Sequence, residues 1–89
     1  MKRLIANPRE TRKKLGLNQE NFWGRIGVTQ SGGSRYESGR DIPEPTAILL
    51  DLVYGSPVAA LRKLAKLRGV SAEELVSKLT KEKPANEQV

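Results

Sequence analysis

Gln30, Ser31, Ser34 and Arg35 bring a carboxamide, two hydroxyls and a guanidinium within two turns of one expected helix. They are hydrogen-bonding groups rather than a nucleophile and its base. The Gln30 amide pairs a donor with an acceptor, as adenine does at N6 and N7. Arg35 can fork onto guanine O6/N7 or onto a phosphate. Bond-breaking chemistry lacks its usual groups: with no Cys and no His, thiolate and imidazole metal ligands, a Cys nucleophile and the commonest general base are all excluded. Carboxylate or lysine chemistry remains formally open. No nucleophile–base pair, phosphate loop or metal constellation accompanies it, so neither an enzyme nor a cofactor is expected.

The formal net charge of +6 is carried by residues 1–40. There Lys2, Arg3, Arg9, Arg12, Lys13, Lys14, Arg25, Arg35 and Arg40 stand against Glu10, Glu20 and Glu37. A localised basic excess points to a polyanion, either nucleic acid or an anionic membrane surface; charge alone also allows a basic surface without a partner.

The elements that position these groups are short helices. With 89 residues, 37% hydrophobic and 29% charged, one globular domain with a thin core is expected. No apolar run approaches the ~20 residues of a bilayer span, and Met1–Ala6 lacks the apolar stretch of a secretory signal; a cytoplasmic protein with no membrane partner is expected.

Six helices are readable and no segment alternates as a strand. Asn7 caps the first, with Pro8 at N1 and Glu10 at N3, and Gly16 ends it. Asn18 caps a second helix running to Ile26, which Gly27 ends. Thr29 caps a third from Gln30 to Ser38, ended by Gly39. Two helices joined by so short a turn form a helix-turn-helix. Ile48, Leu49, Leu52 and Val53 mark a fourth helix ending near Gly55. Ser56-Pro57 opens a fifth, carrying Val58, Leu61, Leu64, Ala65 and Leu67. Ser71 and Glu74 form a capping box for a sixth through Leu79. Residues 1–80 are expected to fold as the helix-turn-helix domain with its C-terminal helical extension, and residues 81–89 to be a disordered tail.

The stretches Leu15-Gly16-Leu17-Asn18-Gln19-Glu20-Asn21-Phe22, Ile26-Gly27-Val28-Thr29-Gln30-Ser31 and Ser34-Arg35-Tyr36-Glu37-Ser38-Gly39-Arg40 together resemble the lambdoid-phage-repressor-like (XRE/Cro-C1 type) helix-turn-helix regulators over about residues 8–61. The resemblance implies an all-α, compact five-helix domain, here with a short additional C-terminal helix. It also implies a third helix lying in the major groove of double-stranded DNA. On matching positions it implies that Gln30, Ser31, Ser34 and Arg35 face base edges, with Ser31 either reading a base or supporting the cap and Arg35 reaching a base or a phosphate. Asn18, Gln19, Ser38 and Arg40 are implied as phosphate contacts, and Arg12 and Glu37 as a buried ion pair. Lys13, Lys14 and Arg25 are read as general electrostatic contributors or solvated surface. Phe22, Ile26, Val28 and Tyr36 are read as core shared by helices two and three.

The expected function is a transcriptional regulator, in the simplest case a repressor that occupies a promoter as a homodimer through Leu64 and Leu67. The alternative is an antitoxin-like interaction module whose C-terminal helices dock a protein partner. Two positions depart from the family pattern: Gly33 stands where a branched apolar residue is usual, and Trp23 where alanine is usual. The Gly32-Gly33 pair costs the third helix about 1 kcal/mol per glycine relative to alanine. Conserved core volume predicts that the Trp23 indole fills the space left at Gly33.

Overall fold

A computed structural model describes residues 3–81, apart from the side chains of Thr80 and Lys81, as six α-helices with no strand among the described residues. They are α1 (Pro8–Leu15), α2 (Gln19–Gly24), α3 (Gln30–Glu37), α4 (Glu44–Tyr54), α5 (Pro57–Leu67) and α6 (Ala72–Lys81). The expected tail falls, from residue 82 on, outside the described residues, while Lys81 closes α6 instead of opening the tail.

Side-chain caps set the helix starts. Asn7 Oδ1 accepts from the Glu10 N–H, Asn18 Oδ1 from Asn21, Thr29 Oγ1 from Gly32, Ser56 Oγ from Ala59 and Ser71 Oγ from Glu74. Each satisfies an amide that has no carbonyl one turn before it. α4 has no such cap and starts instead from Pro43, with Pro45 in its first turn.

α2 is shorter than expected, ending at Gly24 rather than Ile26. The Ile26 amide bonds the Trp23 carbonyl, three residues back, and the Val28 amide bonds the same oxygen. The chain therefore turns sharply through Gly27, whose φ of 79° suits glycine. This tightening removes the partner that the Phe22 carbonyl would have had at Ile26. The Tyr54 hydroxyl donates to it instead, from α4. The same tyrosine stacks on Phe22, with ring centroids 4.1 Å apart and an 11° interplanar angle.

Phe22, Trp23, Ile26 and Leu50 form the buried core, with Ile5, Leu17, Val28, Tyr36, Ile42 and Tyr54 packed around it. α2 packs on α3, α4 on α5, and α5 on α6. Beneath α4 a second polar nucleus is buried. Asp51 Oδ1 accepts from the Leu4 N–H at 3.0 Å and the Ile5 N–H at 2.8 Å, while Lys63 of α5 donates to Asp51 Oδ2. Both charged side chains are enclosed. Burial pushes the Asp51 carboxyl up, but Lys63 and the two amides outweigh it and hold it below the ordinary carboxylate range.

Candidate nucleic-acid interface

α3 carries four of the expected base-facing residues on a helix of weak intrinsic propensity, so its order comes from what it rests on. At 100° per residue, positions 30, 31, 34, 35 and 38 fall within an arc of about 140°, while 33 and 36 lie opposite. Burial follows that division. Gln30, Ser31 and Arg35 are exposed and Ser34 half-buried, whereas Gly33 is buried and Tyr36 half-buried against the core. Gln30, Ser31 and Arg35 spend no side-chain group on the protein: their donors and acceptors face outward unpaired.

The inward side is closed by Trp23, which is fully buried. A Cβ at position 33 would fall within 2.3 Å of the indole Cγ, so only glycine lets the ring approach the α3 backbone this closely. The glycine that weakens α3 locally thus admits the residue that packs it in place. Trp23 also lies 5.5 Å from the Tyr36 ring and meets Phe22 edge-on at 5.4 Å.

The acid of α3 is turned away from the outward face. Glu37 accepts from Arg12 Nε and Nη2, both at 2.9 Å, from Trp23 Nε1 at 2.8 Å and from Gln19 Nε2 at 3.2 Å. Arg12 donates further to the Leu17 carbonyl. One carboxylate with a side chain 4% exposed thereby ties α1, α2 and α3 together. Burial pushes the Glu37 carboxyl up, but the bonds from Arg12, Trp23 and Gln19 outweigh it and bring it below its ordinary value. The same hydrogen bonding raises Arg12. With Glu37 neutralised by Arg12, the positive charges of Arg35 and Arg40 stand unopposed by any other acid of α3.

The residues expected to face phosphate are arranged unequally. Asn18 is exposed at the start of α2, its oxygen committed to the cap and its amide N–H₂ outward. Gln19 is half-buried; one of its amide hydrogens goes to Glu37, leaving the other to give. Arg40 is exposed and unpaired just beyond Gly39, whose φ of 112° turns the chain out of α3. The Ser38 hydroxyl donates back to the Ser34 carbonyl at 2.9 Å, so a bond from Ser38 to a phosphate requires breaking this one. Arg25 lies over the Tyr54 ring, 5.9 Å from its centroid.

Sequence reasoning missed three of these relationships: the Trp23–Glu37 bond, the Gln19–Glu37 bond and the Asp51–Lys63 pair. The last had a readable signal. Asp51 interrupts the apolar run of α4, Lys63 sits within that of α5, and opposite charges on two adjacent apolar faces call for each other.

No described helix is long and apolar enough to cross a membrane, and no group of three or more metal-ligating side chains occurs among the described residues. Residues 9–53, just over half of the chain, match the family described as the RsaL-like HTH domain. Neither a curated protein nor a solved structure matches the chain.

Proposed function

The chain belongs to the RsaL-like helix-turn-helix domain family, and from that premise we propose that it is a sequence-specific regulator of transcription that reads the major groove of double-stranded DNA with α3. The observation that carries this reading is the outward face of α3. Gln30, Ser31 and Arg35 are presented without protein partners on a helix fixed from behind by Trp23 and Glu37. Preorganised, unsatisfied hydrogen-bonding groups beside a basic surface are what base readout requires.

In this reading Gln30 pairs with adenine, while Ser31, Ser34 and Arg35 extend the contact along the groove. Asn18, Gln19 and Arg40 set the register on the backbone. The polar chemistry is that of binding, so the protein acts by occupancy, as a repressor of the lambdoid type, and not as an enzyme.

One helix reads few bases, and the protein is proposed to act as a two-fold dimer. Leu64 and Leu67 on α5 are both exposed and supply apolar contact area, which puts half-sites one turn of DNA, about 10–10.5 bp, or a multiple of it, apart. A second reading has a specific observation in its favour. α5 and α6 border an apolar cleft of about 460 Å³ lined by Val58, Leu61, Ala72 and Val76, which suits a protein partner of an antitoxin-like module.

Selection from random duplexes by gel shift separates the two. Enrichment of a palindrome with the stated spacing supports the dimeric regulator; no enriched sequence at any salt concentration overturns sequence-specific binding and leaves the interaction module.

A further inference from the structure

We infer that the cleft between the start of α1 and the exit of α3 is a phosphate-binding site. The cleft, about 390 Å³, is bordered by Arg3, Arg9 and Arg40 from three separate stretches of chain. Its size is at the lower end of small-ligand pockets, enough for a phosphate and part of the group it esterifies.

The three guanidinia are in different states. Arg3 is steadied at the rim, donating to the Ile42 carbonyl at 3.2 Å and lying 3.9 Å from a Glu44 oxygen. Arg9 and Arg40 are exposed and have no partner in the protein. Of the two acids bordering the cleft, Glu37 is already neutralised by Arg12, which leaves Asp41, with Glu44 beside Arg3, against the three guanidinia. The site therefore keeps an excess of positive charge.

The backbone adds to it. Pro8 at N1 has no N–H and Asn7 takes that of Glu10, so the Arg9 amide at N2 is the open donor at the positive end of the α1 dipole. Forked guanidinium donors and a backbone N–H suit an anion with several acceptor oxygens, such as phosphate.

A phosphate can come from the DNA backbone or from a free phosphorylated molecule. Arg40 belongs both to this cleft and to the proposed interface, so a backbone phosphate would enter as the outermost contact of the same footprint; that case rests on the DNA-binding reading. The free-ligand case does not.

The test uses the full chain, ¹⁵N-labelled, titrated with inorganic phosphate at constant ionic strength against chloride. Saturable shifts at the Arg9 amide and at the Arg9 and Arg40 Nε–H groups are expected, weakened at least tenfold in Arg9→Gln while its melting temperature is unchanged. Shifts that do not saturate, or that are the same in Arg9→Gln, overturn the site. Salt titration of duplex binding then identifies the source. A fall of about one in the slope of log K against log salt in Arg9→Gln, the same for all sequences, supports the DNA backbone. An unchanged slope with saturable phosphate binding supports a free phosphorylated ligand. A chain that binds no duplex at all fails the DNA-binding reading, while the phosphate titration still decides the cleft.

Discussion

The indole of Trp23 occupies the place of a side chain at position 33: a Cβ on Gly33 would fall 2.2 Å from Trp23 Cδ1. A rigid, fully buried ring cannot give way as the end of a flexible side chain could. Gly33→Val is expected to destabilise the protein by overpacking, by about 1–3 kcal/mol or more. Trp23→Ala is expected to cost about 3–5 kcal/mol through the cavity it opens. The double variant should be more stable than the sum predicts, with a coupling of about 0.5–3 kcal/mol in urea denaturation. Strict additivity would mean that the two residues do not share a space.

Trp23 has a polar role besides its volume. Trp23→Phe removes the donor to Glu37 together with the volume of one ring of the buried indole, so it should cost about 1–3 kcal/mol for the unmet bond and more for the cavity. A thermal melt indistinguishable from the parent would count against both the bond to Glu37 and the tight packing of the indole.

Arg12 and Glu37 lie in a region where losing one partner strands a charge. Arg12→Met is expected to destabilise by about 3–5 kcal/mol, and Arg12→Met with Glu37→Leu by much less than the two singles combined. A double-mutant cycle with coupling near zero would dispose of the pair as an energetic unit.

Acid should unfold the protein through the same group and through Asp51. Both carboxyls are held below their ordinary values in the folded state. The unfolded chain therefore takes up protons first, near pH 4, while the folded chain stays ionised. Their contribution is whole above that pH and drains away as pH falls through the depressed folded values. The melting temperature should hold level down to about pH 5 and fall below about pH 4, with a shallower acid limb in Glu37→Gln. An acid limb unchanged in Glu37→Gln would count against the assignment.

On DNA, Gln30→Ala should cost about 1–3 kcal/mol and relax preference at one base position, whereas Arg40→Ala should weaken all duplexes alike and lower the salt slope by about one. Gln30→Ala with affinity and preference intact would remove α3 from the reading role.

Apart from that of α4, the helix starts were legible because caps are local: Asn7, Asn18, Thr29, Ser56 and Ser71 each stand within three residues of the amide they bond. The Trp23–Gly33 contact was legible because two departures from a family pattern had to compensate in volume. What escaped was non-local. The early end of α2 depends on Tyr54 supplying a hydroxyl from 32 residues away. Likewise, the inward turn of Gln19 depends on Glu37 of α3 collecting donors from α1 and α2. Nothing in the composition of a turn or a helix start reports which distant group will complete it.

Asp51 gathers the amides of Leu4 and Ile5 across 47 and 46 residues of chain, and Lys63 completes the cluster from 12 residues further on. On the ribosome the order of synthesis runs against this arrangement. Residues 4 and 5 are made first, yet the acid that fastens them and the lysine that balances it emerge only after α2 and α3 have had time to pair. Closing the long loop also costs more chain entropy than joining neighbours. The segment leading into α1 therefore cannot make these two bonds until Asp51 of α4 has been made, and the cluster is complete only with Lys63 of α5.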